Sequence, residues 1–176
     1  VENECVKIPL FIGTARKNFE DLHMKKVRVA ARAIIIQDGK ILLNKNQKFG
    51  QVYYTLPGRG QEHGETIEEA VKRECLEETG AEIKVLNLCF VRDYISSSHE
   101  FAEQDPDFHQ LELIFRCEMI SEIQPERVTE MDAEQIGTEW IKVEDLKQVK
   151  LFPQAITELI IAQKWIDSSI YLGNIN

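Results

Sequence analysis

Residues 58–80 read GRGQEHGETIEEAVKRECLEETG, a glycine-punctuated loop running into an acidic helix. The spacing predicts a helix from near Thr66 to Thr79, ended by Gly80, the residue type that most readily closes a helix. At about 100° per residue, Ile67, Ala70 and Val71 share one face, and further steps of three or four lead to Glu74, Glu77 and Glu78. The apolar stripe therefore turns acidic before the helix ends. Glu68 and Glu69 point elsewhere and read as a solvated first turn favoured by the helix dipole. Three carboxylates in one arc repel one another unless a cation neutralises them, and hard oxygen donors at this density suit Mg²⁺, with Mn²⁺ as the alternative. A solvated acidic face is the ordinary reading of a Glu-rich helix. Against it stand the continuation of the apolar stripe and a preceding loop whose glycines let backbone approach a phosphate or metal.

Upstream, residues 27–36 (VRVAARAIII) form a strand candidate, and Asp38-Gly39 sets a turn into residues 40–44, so a hairpin is expected. Residues 51–56 read as a short strand delivering the Pro57-Gly58 corner. A strand, a glycine loop and a helix also describe a P-loop, but no G-K-S/T closes this loop. Downstream, residues 83–92 form a strand. The polar run 93–110 is long enough to be a functional loop, with Tyr94, Phe101 and Phe108 as candidate stacking or anchoring side chains. Residues 111–119 alternate with Leu111, Leu113, Phe115 and Cys117 on one face and Glu112 and Ile114 on the other, which turns Glu112 toward a cleft. A strand over 138–143 and helical segments over 144–148 and 153–167 follow. Pro153 is expected at the first helical position, with Ile156, Leu159, Ile160, Gln163 and Ile166 as the buried stripe.

The 58–80 stretch resembles the Nudix box, in which a glycine, five residues, a glutamate and seven residues precede R-E-U-x-E-E-x-G-U with U aliphatic. Glu65 is the first acid, residues 66–72 fill the gap, and Arg73-Glu74-Cys75-Leu76-Glu77-Glu78-Thr79-Gly80-Ala81 completes the pattern. Arg59 stands in the place of the opening glycine. The resemblance implies a Nudix-type α/β/α sandwich with a mixed β-sheet. It also implies metal-dependent hydrolysis of a pyrophosphate linkage in a nucleoside diphosphate derivative. By matching positions it gives Gly58 (through its carbonyl), Glu74, Glu77 and Glu78 as metal ligands and Arg73 as the residue orienting the carboxylates. Glu65 would steady the loop or hold a metal-bound water. The general base stays open among Glu74, Glu112 and Glu134. Arg32, Arg59, His99 and His109 are candidate substrate contacts. Markers of the ADP-ribose and dinucleoside polyphosphate subfamilies would fall at Ser97 and Ser98, where neither proline nor tyrosine occurs. A nucleoside triphosphate, oxidised or not, is therefore the first expectation and a nucleotide sugar such as ADP-ribose the second. A non-catalytic nucleotide sensor of the same family is a third reading, disfavoured by the complete set of acids.

With 176 residues, 43% of them hydrophobic, the chain suits one sizeable core. We expect a single domain over residues 25–176, with residues 1–24 an N-terminal extension, an appended strand or a cloning-derived segment. The formal net charge of −9 excludes a broad basic surface for long nucleic acid, while leaving room for a small-molecule nucleotide held through a cation. Cys5, Cys75, Cys89 and Cys117 form no C-x-x-C pair and read as reduced thiols. No apolar run approaches a membrane span and no signal peptide is recognisable, so a cytoplasmic protein is expected, with a homodimer left open.

Overall fold

The computed structural model describes residues 26–99, 102–103, 105–164 and 170–175. The expected N-terminal segment, Cys5, Phe101 and Ile166 lie outside the described residues. The order is β1 (Val27–Gln37), β2 (Lys40–Lys48), β3 (Gln51–Thr55), α1 (Ile67–Thr79), β4 (Ile83–Ile95), β5 (His109–Met119), β6 (Gln135–Lys142), β7 (Leu151–Phe152), α2 (Ile156–Ile161) and β8 (Ile170–Asn174).

The β1–β2 turn forms where Asp38-Gly39 places it, with left-handed backbone at both residues. The expected hairpin then differs from the structure in its extent. Only Ile36 with Ile41 and Gln37 with Lys40 are paired. Below that point β1 pairs in parallel with β5, from Val27 against His109 to Ile35 against Cys117, while β2 pairs with β3 and β6 on its two edges. The physical reason is that the glycine loop takes the edge of β1 that a longer hairpin would have filled. Ala31 N–H donates to the Arg59 carbonyl at 2.9 Å, Ala33 N–H to Pro57 at 2.8 Å, and Gln61 N–H to Val29 at 2.9 Å. The mixed sheet thus splays into two halves, and the loop before α1 lies in the split.

Period-two alternation serves both faces of this sheet. Ala31, Ala33 and Ile35 of β1, Leu42 of β2 and Phe115 and Cys117 of β5 bury under Ala70, Val71 and Cys75 of α1. Their alternates Ile34, Ile41, Leu43 and Ile114 pack with Leu146, Ile156 and Ile160 from the C-terminal elements. Helices therefore cover opposite faces, as a layered α/β domain requires.

Helix α1 keeps its expected limits because both ends are set locally. Thr66 Oγ1 accepts from Glu69 N–H and Glu69 returns the bond to Thr66 N–H, a reciprocal N-terminal cap. Gly80 in the left-handed conformation closes the helix by donating to Leu76. Helix α2 departs from expectation. Pro153 precedes it by a turn, with its carbonyl accepting from Ile156 N–H. Gln163, expected in the buried stripe, is exposed with φ of 51°, which ends the helical path after Ile161. The 144–148 segment is a 3₁₀ turn spanning Val143–Gln148.

Candidate metal and phosphate site

Every acid of the α1 arc lies where the glycine loop meets the split in the sheet. Glu78 is 3% exposed and Glu74 6%, although the opposite helix face is solvated. Glu78 Oε2 accepts from Asn44 Nδ2 of β2 and from Gly58 N–H of the loop, each at 2.7 Å. Gly58 has φ of 121°, and a Cβ there would stand 2.1 Å from the Ala31 carbonyl oxygen. Only glycine lets the loop lie this close to β1.

Arg73 organises the remaining acids. It grips Glu65 through Nε at 3.1 Å and Nη2 at 2.7 Å, reaches Glu74 and Glu77 through Nη1 at 2.8 and 3.0 Å, and ties the Gly60 carbonyl at 3.2 Å. This fork suits planar guanidinium geometry and cannot be reproduced by an ammonium. Its bond holds Glu65 below the usual carboxylate range. Burial pushes Glu74 and Glu78 upward, and in Glu74 the neighbouring Glu78 and Glu77 charges add to the effect.

The donor set fits a hard divalent cation in chemistry. Glu74 and Glu77 each use one oxygen on Arg73, and Glu78 uses one on the loop and Asn44. Among the described buried side-chain atoms, only Asn44 Oδ1 and Gln135 Oε1 lack a hydrogen-bond partner; Asn44 Nδ2 donates to the Glu78 carboxylate, and Gln135 Nε2 donates to the Glu78 main-chain carbonyl at 3.1 Å. The Asn44 oxygen, on a side chain bonded to the Glu78 carboxylate, is a further oxygen donor that a hydrated cation could use. No three acidic, histidine or cysteine side chains among the described residues are already gathered as a ligand cage. Arg73 lies among Glu65, Glu74 and Glu77. The Gly58 carbonyl accepts from Arg32 Nη1.

Behind the loop, between the two halves of the sheet, opens a cavity of about 370 Å³. Arg28, Arg32, Lys48 and Arg92 face Asp105, Glu112 and Glu134 in its lining, four cations against three carboxylates in a chain of net charge −9. Tyr53, Tyr94, Phe108 and Phe152 supply its aromatic walls. Glu112 is buried at the base of the cavity. One oxygen accepts from Gln110 at 2.8 Å and Arg32 at 3.4 Å, and the other from Arg92 at 2.6 Å. Burial alone would raise its carboxyl, but the Arg32 and Arg92 charges outweigh it and hold the group low. Glu134 is likewise engaged at both oxygens, by Lys48 at 2.5 Å and by the Tyr53 hydroxyl.

Arg59 projects outward, half exposed, and pairs with Asp132 at 2.9 Å. Its φ is not positive, so arginine adopts the backbone required where the box pattern has glycine. His99 and His109 are not among the residues that line the cavity. His99 stacks on Tyr94 at 4.9 Å and bonds Asn174, and His109 bonds Asp93 at 2.9 Å. Asn44, Gln135, Arg92 and Arg28 carried no signal in the sequence, because strand register alone brings them here.

The sequence model of the NUDIX domain family matches residues 26–160. The chain belongs to this family. An archaeal relative named ADP-ribose pyrophosphatase, from Methanocaldococcus jannaschii, is 37% identical over 114 residues, covering 60% of this chain and 63% of the relative. A second relative, from Caenorhabditis elegans, is 31% identical over 134 residues, which is 74% of this chain and 33% of the relative. The chain thus spans less than two thirds of either. A solved NUDIX hydrolase from Nitrosomonas europaea superposes with a TM-score of 0.63 at 20% identity, covering 88% of this chain and 81% of that one, a likeness of fold. No helix among the described residues of this NUDIX domain is long and apolar enough to cross a membrane.

Two outcomes follow from these contacts. Arg73→Lys keeps the charge and loses the fork, so cation-dependent activity is expected to fall about 10- to 100-fold, the usual effect of removing a residue that orients metal ligands. A Mg²⁺ titration of turnover reads it, with the midpoint displaced to higher concentration. Glu112 has a folded pKa below its unfolded value. Its contribution to stability is therefore complete above the unfolded value, about 4.3, and is lost as pH falls through the lower folded value. The difference in Tm between wild type and Glu112→Gln is expected to be large at pH 7 and to shrink on acidification through that window. A difference independent of pH would contradict the assignment.

Proposed function

We propose that this chain is a divalent-cation-dependent hydrolase that cleaves a pyrophosphate linkage in a nucleoside diphosphate derivative. The observation that supports the reading is that Glu74, Glu77 and Glu78 gather against the glycine loop, which Arg32 joins to a cation-lined, aromatic-walled cavity by bonding both the Gly58 carbonyl and Glu112. Mg²⁺ or Mn²⁺ would be held by these three carboxylates and the Gly58 carbonyl, where it would neutralise phosphate charge and acidify a bound water. Arg73 would orient Glu74 and Glu77 through its Nη1 bonds to both. Glu112 and Glu134 have both oxygens committed to cations or hydroxyl, so of the three base candidates Glu74 is the one with an oxygen to spare. Glu112 acts instead by anchoring Arg32, which ties the Leu56 and Gly58 carbonyls.

For the substrate, the name of the archaeal relative moves a nucleotide sugar of the ADP-ribose type ahead of the nucleoside triphosphate expected from sequence. Its two-ended shape suits a cavity lined by two aromatic pairs, Tyr53 with Phe152 and Tyr94 with Phe108. The test is a panel of ADP-ribose, other nucleotide sugars and nucleoside triphosphates incubated with Mg²⁺, with products resolved by chromatography. ADP-ribose should yield AMP and ribose 5-phosphate. Release of monophosphate and pyrophosphate from triphosphates alone would reverse the substrate order, and turnover undiminished by chelator would overturn the reading.

A further inference from the structure

The guanidinium of Arg28 rests on the Cα of Gly60: a Cβ at Gly60 would fall 2.2 Å from Arg28 Nη2 and 2.4 Å from Nε. Gly60 is buried, its backbone is bridged to Ala30, and its φ is an ordinary one. Glycine here therefore serves no turn. What its missing side chain provides is the seat for Arg28.

The surroundings of that seat are unequal in charge. Arg32 and Arg92 share Glu112, Arg59 pairs with Asp132, and Arg73 with Glu65, Glu74 and Glu77. Among the described residues no carboxylate pairs with Arg28, although the chain has 30 acids to 21 bases. Arg28 is exposed, lies against the Gly60 backbone and lines the cavity, and a guanidinium so placed suits an anion supplied from outside. Gly60 also links Arg28 to the glutamates. Its carbonyl accepts from Arg73, so Arg28 and the Glu74–Glu77 cluster flank the same residue, Arg28 on the cavity side. A diphosphate with one phosphate at the glutamates would present its other phosphate there.

We propose that Arg28, seated on Gly60, is a substrate-binding and specificity-determining residue that holds the phosphate of the pyrophosphate unit lying away from the glutamate site. The inference rests on the pyrophosphate reading above and adds a residue to it. It separates diphosphate substrates from monophosphates, which leave Arg28 unpaired.

The test compares wild type, Arg28→Met, Arg28→Lys, Gly60→Ala and the Arg28→Met/Gly60→Ala double variant. Turnover is measured on whichever panel substrate is hydrolysed, and calorimetric binding on inorganic pyrophosphate with Mg²⁺. Arg28→Met should raise KM about 10- to 100-fold, the range for losing a charge-assisted contact, with kcat nearly unchanged. Arg28→Lys should lie between. Gly60→Ala should reproduce Arg28→Met by unseating the side chain, and the double variant should be no worse than Arg28→Met alone. An unchanged KM in Arg28→Met, or a Gly60→Ala effect that persists in full without Arg28, overturns the proposal. If wild type hydrolyses nothing in the panel, the hydrolase reading fails separately. The pyrophosphate titration then decides for Arg28, since binding absent from wild type or equal in Arg28→Met refutes it.

Discussion

Glu78→Gln is expected to abolish divalent-dependent turnover, by about 10³-fold or more, or ~4 kcal/mol of barrier. Three features compound at this one side chain. It is the most buried acid of the α1 arc, the burial that raises its carboxyl is the cost a cation would offset, and its Oε2 bonds fasten both Gly58 and Asn44. Glutamine is isosteric and can accept the Gly58 N–H through its oxygen, so the fold should survive. Loss of the charge is then read apart from loss of the loop. The check is turnover against Mg²⁺ concentration, with thermal unfolding in parallel. Equal turnover by wild type and variant at every Mg²⁺ concentration would sink the metal assignment, and a collapse in Tm would move the effect from chemistry to folding.

Gly58→Ala should be the most destabilising single-methyl change at the site. The added Cβ meets Ala31 O at 2.1 Å and Arg32 Cα at 2.9 Å, both main-chain atoms of a strand that is buried and paired with β5 at these positions. Neither can rotate away. Left-handed strain of roughly 1–3 kcal/mol and overpacking of similar size together suggest about 4 kcal/mol. For a chain of this length that is a fall in Tm of about 8–16 °C. Gly39→Ala is the control. It shares a positive φ of 72° and has nothing within 4 Å of its Cβ, so it should cost only about 1 kcal/mol. Similar losses at the two positions would mean that the close approach of loop to strand is not what Gly58 serves.

What could be read from sequence here was what is decided locally. The limits of α1 follow from Thr66 and Gly80, within a turn of the residues they cap. The stripe from Ala70 to Glu78 follows from helical spacing, and it correctly placed Glu74 and Glu78 toward the interior. Alternation in β5 likewise turned Glu112 toward the cavity. The partners of these acids were not legible. Asn44 reaches Glu78 across 34 positions and Gln135 across 57, through the ladders of β2 with its neighbours, whose register no local pattern encodes. Arg92 meets Glu112 because β4 and β5 align them as direct partners, and only that pairing reveals Glu112 as an anchored group. The hairpin is shorter than local pattern predicts for a related reason. The competitor for the edge of β1 is a loop without strand character, and it wins because its glycines let main chain pack where side chains would not.

The main-chain bonding of residues 57–61 to β1 has one more consequence. At position 59 the fold uses only the carbonyl, which accepts from Ala31, while the side chain leaves toward solvent and Asp132. Backbone registration separates the part of the loop that must stay still from the part that faces an approaching ligand. Residue 59 is thus an adjustable rim: the electrostatic potential at the mouth of the cleft can be retuned there, by lysine, glutamine or glutamate, without moving the carbonyls and amides that hold the interior in place.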